Sequence, residues 1–452
     1  MNLNSVLIRN LVFPYMEYFK GNKIRSYLKY LQETQHYSEN ELKSLQEKKL
    51  RSLLLYSIEK VPAYSKYRHL YTDIMENPSF AITKFPILTK QNFIHSSLTY
   101  ISNDVKKEDL IPNRTGGSTG EPVQFYLDRK TVEFYEAARW RGLSWSNIKI
   151  GDSSAMIWGS PIELTQQQRL SYKLKERFLK NRILISAYNL NPSSLKEYIK
   201  TLNSFKPMYI YGYASALYLF AELMLSGNLS LKFKPVAVVS TAETLYDFQR
   251  EKIENAFKCR VINEYGARDG GILAYQCSRG NMHLTVENAY IEIVDINTKQ
   301  PVASGGSGLV IVTDLNNYSM PRIRYQLGDV ATLSLDRCDC GLQLPLLEKI
   351  EGREDDIFVA TNGAYVHGHV FNHIARNLNG IKQFQIIQHS RSNISLKIIR
   401  GLNYDHLQVQ QFINEIKKVM GSVEIKVEFA ESIEPSNSGK IRYTKREFPL
   451  SI

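Results

Sequence analysis

The residues from Arg114 to Pro122 have the composition of a loop that could hold a phosphate group. They read Arg-Thr-Gly-Gly-Ser-Thr-Gly-Glu-Pro, with three glycines and three hydroxyl side chains. Glycine permits positive φ angles, so backbone amides can approach a ligand closely, and the hydroxyl groups supply further donors. The Gly-Lys-Ser/Thr of a Walker loop does not follow. Taken alone, the run is compatible with a polyphosphate loop and with an ordinary flexible turn.

Further motifs with charged and aromatic side chains follow this glycine loop along the chain. They are Ser240-Thr241-Ala242-Glu243, Asn263-Glu264-Tyr265-Gly266-Ala267-Arg268-Asp269, Thr313-Asp314-Leu315 with Pro321–Asp329, Gly352-Arg353-Glu354-Asp355-Asp356, and Ser438-Gly439-Lys440-Ile441-Arg442. The first two lie at predicted strand ends, where an α/β sheet presents residues to a ligand. Each motif by itself is typical of a surface turn, whereas this order along one chain is not expected by chance.

Cysteine and histidine residues form a second candidate site. Its members are Cys277, His283, Cys338 and Cys340. Three thiols and one imidazole suit a closed tetrahedral set around a structural zinc ion. The alternative interpretation is that Cys277 is a small core residue and that Cys338 and Cys340 lie free in a turn.

The composition limits the class of protein. A chain of 452 residues with 43% hydrophobic residues is long enough for two or three domains with a large core. No apolar run approaches the roughly 18 residues of a membrane span, and no signal peptide is recognised at the start. Four cysteines, of which Cys259 is expected in the core, argue against a disulfide framework. We therefore expect a cytoplasmic protein.

The net charge of +12 could reflect nucleic acid, an anionic membrane surface or a polyanionic substrate as a partner. Because the positive charges are dispersed and no Arg-rich arm is present, nucleic-acid binding is not expected. Solvated lysines are the favoured interpretation. For the basic, aromatic-rich start of the chain, packing against the body of the protein is favoured over peripheral membrane association.

Hydrophobic periodicity predicts an α/β fold. Residues 1–75 are predicted to be helical, with Ser38 and Glu41 as a capping box and Val61-Pro62 as a helix end. Strands are predicted at 123–127, 154–158, 182–186, 208–213, 236–240, 290–294, 309–313, 330–335, 384–388, 395–399 and 423–429. We expect a large N-terminal α/β body, residues 1–352, and a small C-terminal α+β domain, residues 353–452.

The motifs, in this order, resemble those of the adenylate-forming superfamily of acyl-CoA synthetases and adenylation domains. Within it, the chain is most similar to phenylacetate-CoA ligases and to CapK-type capsular polysaccharide biosynthesis proteins. The resemblance covers nearly the whole chain, including Val61-Pro62-Ala63-Tyr64. It implies ATP-dependent adenylation of a small carboxylic acid, release of pyrophosphate and acyl transfer to CoA or another acceptor, in surface polysaccharide biosynthesis.

The resemblance also implies roles for residues that would bind ATP. Its β- and γ-phosphates would lie in the glycine loop, on Thr115, Gly116, Gly117, Ser118, Thr119 and Gly120. Glu243 and Tyr265 would lie beside adenine, and Tyr265 would stack on the base. Asp329 would accept hydrogen bonds from both ribose hydroxyls, and Arg353 would contact the ribose and phosphate region.

The remaining implied roles concern catalysis, metal binding and movement. Asp269 replaces a family glutamate that holds Mg²⁺, a hard cation that prefers carboxylate oxygen. Asp355 would be the hinge of a mobile C-terminal domain, and Lys440 would be its catalytic lysine. The Cys338-Asp339-Cys340-Gly341 step is also similar to this branch, which favours structural zinc.

Departures from the family pattern leave the acceptor open. The segment Gly363–His369 lacks the acidic pair that usually follows its glycine, so acyl transfer to a sugar or carrier amine or hydroxyl competes with transfer to CoA. A non-catalytic nucleotide-binding relative is the other alternative. The aromatic run Tyr209–Ser215 is expected to border the pocket for the acid.

Overall fold

The computed structural model describes residues 3–114, 123–158, 170–186, 190, 192–303, 305–353, 356–376, 378, 380–401, 404–434 and 442–448. Its α-helices are α1 (Leu3–Leu7), α2 (Phe13–Lys20), α3 (Ile24–Thr34), α4 (Glu39–Lys60), α5 (Tyr71–Glu76), α6 (Pro78–Ala81), α7 (Lys90–Ser96), α8 (Arg129–Ser144), α9 (Leu170–Leu179), α10 (Pro192–Phe205), α11 (Ala214–Ser226), α12 (Asp247–Phe257), α13 (His369–Arg376) and α14 (His406–Met420). A π-helical turn, Ile8–Val12, joins α1 to α2, and 3₁₀ segments cover Pro62–Leu70, Ile82–Lys84, Ser97–Tyr100 and Lys107–Asp109. No helix in these described ranges is both long and apolar enough to cross a bilayer.

Helix α4 shows how local sequence sets an element boundary. Ser38 accepts from the backbone of Glu41, whose carboxylate accepts from the backbone of Ser38, which confirms the predicted capping box. The helix ends at Lys60 because Val61 is extended before Pro62. Its apolar face, with Leu50 and Leu53, is fully buried.

The strands belong to one large sheet, a smaller sheet and two hairpins in the described part of the chain. The large sheet contains β3 (Ser154–Trp158), β4 (Arg182–Ser186), β5 (Tyr209–Tyr213), β6 (Ala237–Thr241), β7 (Arg260–Ala267), β8 (Gly271–Gln276), β9 (Met282–Leu284), β10 (Ala289–Val294), β11 (Ser307–Asp314), β12 (Tyr325–Leu333) and β13 (Leu346–Arg353). Their order is β10-β11-β12-β13-β9-β8-β7-β6-β5-β3-β4. Strands β4, β3, β5, β6 and β7 are parallel, and the others pair antiparallel.

Helices cover both faces of the parallel half, as parallel sheets require. Val238 of β6 packs in a cluster with α10, α11 and α12, whereas its neighbour Val239 packs in a cluster with α3 and α8. All five residues of β6 are therefore buried. This arrangement confirms the predicted α/β class.

The glycine loop connects two paired strands, as predicted. Strands β1 (Ile111–Arg114) and β2 (Gln124–Leu127) form an antiparallel hairpin on either side of it. Phe125 and Leu127 of β2 are buried in the core of the antiparallel half. The hairpin is thus anchored next to strands that carry candidate site residues.

The C-terminal part of the chain builds its own sheet. Strands β16 (Ile381–Gln388), β17 (Asn393–Arg400), β18 (Glu424–Phe429) and β19 (Thr444–Arg446) lie in the order β18-β17-β16-β19, and β14 (Ile357–Val359) pairs with β15 (Tyr365–His367). A separate hydrophobic cluster joins this sheet to α13 and α14. The domain boundary at 352/353 stays a prediction.

Candidate active site

A cleft of about 1110 Å³ brings together residues from separated motifs. Glu243, Tyr265, Asp269, Asp329 and Arg353, all predicted nucleotide or metal residues, line it. It lies where the carboxyl ends of β5, β6 and β7 face the antiparallel strands β12 and β13 and the segment 442–444. The predicted loop residues 115–120, the hinge Asp355 and the catalytic Lys440 lie outside the described residues.

Asp329, on β12, contacts side chains from two other strands, β13 and β7. It pairs in register with Arg353, whose Nη1 lies 2.8 Å from Asp329 Oδ1. The hydroxyl of Tyr265, on β7, donates to Asp329 Oδ2 at 2.9 Å. Burial, followed by the charge of Asp329, raises the pKa of Tyr265 well above its usual value, so the phenol stays a donor. Because each carboxylate oxygen has two lone pairs, Asp329 can still receive a diol.

Asp269 follows β7 and is held by two neighbours. Tyr325, the first residue of β12, donates its hydroxyl to Asp269 Oδ2 at 3.0 Å. Arg322 donates from Nη2 to the backbone oxygen of Asp269 at 2.9 Å. The other carboxylate oxygen has no partner among the described residues, so a hard cation suits this position.

Arg322 is a buried cation that the sequence did not single out. Only 2% of the residue is exposed, and its guanidinium lies 4.7 Å from the ring centre of Phe125, in the hairpin that carries the glycine loop. Its Nε and Nη1 have no hydrogen-bond partner within the described ranges. The residue therefore places positive charge between Asp269 and the glycine hairpin.

Glu243 positions the turn after β6. Its Oε2 accepts from the backbone amide of Ser215 at 2.7 Å and its Oε1 from the Ser215 hydroxyl at 3.0 Å. It thereby caps the first turn of α11, where a carboxylate also interacts favourably with the helix dipole. Ala242 adopts a positive φ of 66°, which turns the chain from the strand toward the cleft. A role beside adenine stays a prediction.

Aromatic and paired charged side chains form another wall of the cleft. Tyr211, Tyr213 and Ser215, from the run predicted to border the acid pocket, line the cleft. The ring of Trp158 lies 4.0 Å from that of Tyr213. This wall would accommodate an acid with an apolar or ring-bearing part.

Buried Glu264 supplies the polar part of this wall. It accepts from the hydroxyl of Tyr211 at 2.6 Å, from that of Thr241 at 2.9 Å and from Arg139 Nε at 3.3 Å. Arg139 and Glu264 were missed because their pairing joins α8 to β7 across distant sequence. The adjacent motif residue Tyr265 was the available signal for Glu264.

Asp356 links the cleft to the C-terminal segment. Its Oδ2 accepts from the backbone amide of Arg353 at 3.0 Å, while Arg442 Nη2 lies 2.6 Å from Oδ1. The hydroxyl of Thr444, in β19, donates to the same Oδ1 at 3.2 Å. Sequence reasoning placed the hinge at the neighbouring Asp355 and missed these contacts.

The structure brings Cys277, His283, Cys338 and Cys340 together, with all four ligand atoms within 4.8 Å of one another. The sulfurs of Cys277 and Cys338 are 3.7 Å apart, and Cys340 Sγ is 3.2 Å from His283 Nε2. Zn–S bonds of about 2.3 Å in a tetrahedron would separate two sulfurs by about 3.8 Å. The donor set and its spacing therefore fit a zinc ion.

The surroundings of this cluster suit bound metal. The Leu344 carbonyl oxygen lies 3.0 Å from His283 Nδ1, a contact that suits an Nδ1–H donor and leaves Nε2 toward the thiols. Burial lowers the pKa of His283, which favours the neutral ring. Asn281 donates to Cys338 Sγ and the Arg279 amide to Cys277 Sγ, at 3.1 and 3.3 Å. Cys259 lies apart and is buried, and burial raises its pKa to about 12.

Comparison with known proteins points to one family. The model of the CapK C-terminal domain matches residues 358–447. Protein CapK of Staphylococcus aureus is 26% identical over 431 residues, 91% of this chain and 92% of that protein. A phenylacetate-coenzyme A ligase of Thermus thermophilus is 22% identical, over 70% of this chain and 72% of its own length. The chain is therefore similar to CapK over nearly its whole length and to phenylacetate-coenzyme A ligases over about 70% of it.

Solved structures agree with this family's fold. The chain superposes on 2-hydroxyisobutyryl-CoA ligase in the postadenylation state, in complex with R3-HIB-AMP, with a TM-score of 0.69 and 18% identity over 90% of both chains. Against the same protein in its thioesterification state, with 2-HIB-AMP and CoA, the TM-score is 0.55 over 92% of this chain and 91% of that chain. The TM-score is thus higher for the postadenylation complex of that protein.

Proposed function

We propose that this ligase uses ATP to activate a small carboxylic acid as an acyl adenylate and then transfers the acyl group to an acceptor. The observation that carries the proposal is the meeting of Tyr265, Asp269, Asp329 and Arg353 in one cleft. These residues come from motifs far apart in sequence, and their types match the parts of a nucleotide: an aromatic face, a metal-binding carboxylate, a diol acceptor and a cation.

In the adenylation step, a substrate carboxylate oxygen attacks the α-phosphorus of ATP, and the bond to pyrophosphate breaks. Negative charge gathers on the phosphoryl oxygens, so positioned cations lower the barrier. Lys440 and Arg353 would supply that charge. Asp269 would hold Mg²⁺, which neutralises phosphate charge when bound.

Asp329 and Tyr265 would position the nucleoside. Asp329 is held by Arg353 and by the Tyr265 hydroxyl, so its orientation is fixed before ATP binds. A fixed carboxylate accepts from two ribose hydroxyls with little ordering cost. The ring of Tyr265, at the cleft wall, would provide the face for adenine.

The acceptor in the second step is CoA or an amine or hydroxyl on a sugar or carrier. Phenylacetate-CoA ligases among the relatives favour CoA. Indoleacetate–lysine synthetase of Pseudomonas savastanoi, 28% identical over 31% of this chain, favours an acceptor other than CoA. We infer a role in surface polysaccharide biosynthesis from the similarity to CapK.

The cysteine and histidine cluster would hold a structural zinc ion. All four ligands come from protein, so no position is left open for a substrate. The ion would join β9 and the loop before β13, and would have no direct part in acyl transfer.

The test of the proposed function is pyrophosphate release by the purified protein with ATP, Mg²⁺ and a panel of aryl, fatty, amino and sugar acids. Hydroxylamine is added to trap an acyl adenylate as a hydroxamate, and the panel is repeated with CoA. Acid-dependent pyrophosphate and hydroxamate are expected. Acceleration by CoA would identify it as the acceptor. Bound ATP without pyrophosphate release from any acid would contradict the proposal and favour a non-catalytic role.

A further inference from the structure

The N-terminal helical segment, Leu3–Lys20, presents an apolar face to solvent. Six large side chains on it are between 50% and 85% exposed: Leu3, Leu7, Leu11, Tyr15, Tyr18 and Phe19. Five of them recur at intervals of four residues, from Leu3 to Phe19, and Tyr18 follows Tyr15 by three, so they lie along one side of the helical segment. Single exposed hydrophobic residues are normal on a protein surface, whereas six on one helix face indicate an interaction site.

The opposite face of this segment already packs against the protein. Ser5 and Ile8 are buried, and a Cβ placed on Gly151 would lie 2.8 Å from the Ser5 carbonyl oxygen. Arg9 holds Asp152 with a 2.7 Å ion pair. The exposed apolar face is therefore not the face that anchors the helix to the fold.

Helix α9, close to the start of this segment, carries further exposed apolar and basic residues. Leu174 and Phe178, one turn apart, are 47% and 65% exposed, and Lys173, Lys175 and Arg177 are exposed between and beside them. Asn181, just after α9, is hydrogen-bonded to Asn4 at 3.1 Å and to Ser5 at 3.3 Å. The two helices are thus neighbours at the β4 edge of the large sheet, and we name their exposed faces the helical patch.

The exposed charged side chains on the two helices of the helical patch are all positive. Leu3–Lys20 and α9 each contain one carboxylate, Glu17 and Glu176, and both are buried. Glu17 pairs with Arg25, and Glu176 pairs with Lys180 and Arg182. Leu3–Lys20 therefore presents leucine and aromatic side chains with Lys20, and α9 presents Leu174 and Phe178 with three basic residues, without an exposed carboxylate of their own.

We propose that the helical patch binds the surface of an anionic lipid bilayer. Leucine, phenylalanine and tyrosine side chains enter the boundary between headgroups and acyl chains, and lysine and arginine contact anionic headgroups. Helices with an apolar face and cations are suited to lie in this plane. None of the described residues that line the cleft belongs to the patch.

The experiment is co-sedimentation of the full-length protein with vesicles of phosphatidylcholine alone or mixed with phosphatidylglycerol, at low and high salt. Binding is expected only with phosphatidylglycerol and is expected to weaken with salt. Leu7→Glu with Leu11→Glu, and separately Lys173→Glu with Lys175→Glu, should each lower the partition coefficient by at least about tenfold. The matched controls, Leu407→Glu and Lys106→Glu with Lys107→Glu, change exposed residues elsewhere and should bind as wild type.

Circular dichroism, thermal melting and pyrophosphate release without vesicles verify that each variant is folded. No vesicle binding by the wild type would overturn the proposal, as would equal losses in the patch and control variants. A dimer in vesicle-free buffer that Leu7→Glu with Leu11→Glu dissociates would also overturn it, since a second copy would then cover the patch.

Discussion

The candidate nucleotide site and the cysteine cluster are two polar sites on the same antiparallel half of the sheet, but they are built differently. In the cleft, Asp329 and Arg353 form a pair that remains partly open to solvent. In the cluster, His283 is fully buried, and four ligand atoms converge on one point. The first arrangement suits a ligand that enters and leaves, and the second suits an ion that stays.

Strand β13 connects the two sites. Leu346 at its beginning pairs with His283, and Arg353 at its end pairs with Asp329. Eight residues of strand span about 25 Å, so the cluster is too distant to touch a nucleotide held by Asp329 and Arg353. We therefore expect cleft variants to change catalysis and cluster variants to change stability.

Asp329→Ala should give the largest effect on nucleotide use. In the proposed site it would remove two charge-assisted hydrogen bonds to the ribose, so the KM for ATP should rise by about tenfold to a hundredfold. Pyrophosphate release against ATP concentration measures this, and thermal melting should show a small change. The control is Asp73→Ala, which removes a carboxylate paired with Lys84 on the surface. Equal KM values for both variants would contradict the site.

The double variant Cys338→Ser with Cys340→Ser tests the cysteine cluster. Loss of zinc should lower the melting temperature by about 5 °C or more, because metal binding contributes to folding. The kcat of the folded fraction should stay within about threefold of wild type. Mass spectrometry should find about one zinc per wild-type chain.

Cys259→Ser is the matched control, because Cys259 is buried outside the cluster. It should retain the full zinc content. Wild-type protein purified without chelators that holds less than about half an equivalent of zinc would contradict the assignment of a structural metal site.

Tyr265→Phe should produce a smaller change in the cleft. It keeps the aromatic face but removes the hydroxyl that donates to Asp329. One lost hydrogen bond corresponds to about a threefold to tenfold rise in the KM for ATP. Tyr265→Ala should cost more if the ring stacks on adenine, and equal KM values for the two variants would argue against stacking.

The smallest expected effect is at Lys49, and it concerns the free energy of unfolding alone. Its ammonium donates to the Glu287 carbonyl and to Asn316 Oδ1, and burial lowers its pKa to about 8 from 10.5. Between these values the unfolded chain holds a proton that the folded protein lacks, so this residue's contribution to stability rises with pH. Relative to Lys49→Met, wild-type unfolding free energy should rise by about 1 kcal/mol per pH unit in this window. Denaturant titrations measure it, and a fall would contradict the assignment.

The parallel half of the sheet could be predicted from sequence to a large extent. Strands β3 and β4 have the predicted bounds, 154–158 and 182–186, because buried parallel strands appear as short apolar runs between turns. The strands of the antiparallel half were predicted less completely. Strands β8, β9 and β13 were missed, and β12 begins at Tyr325 rather than at residue 330. Their pairing partners are distant in sequence, and their residues lack clear alternation.

The residues of the candidate site also fall into two groups, those that the sequence could predict and those that it could not. Asp329 and Tyr265 could be found because motifs with a fixed order identify them. Arg322, Glu264 and Asp356 could not, because their importance comes from burial and from partners on other elements. The cysteine cluster could be predicted from residue types, whereas the convergence of its ligand atoms required the fold.

The most direct measurement of adenylation compares Lys440→Ala with wild type in pyrophosphate release and in ATP binding. Lys445→Ala, which changes a nearby lysine paired with Glu447, is the control. We predict that Lys440→Ala loses about a hundredfold to a thousandfold in kcat while its Kd for ATP changes little, because the lysine acts on transition-state charge. Unchanged kcat in Lys440→Ala would contradict the mechanism.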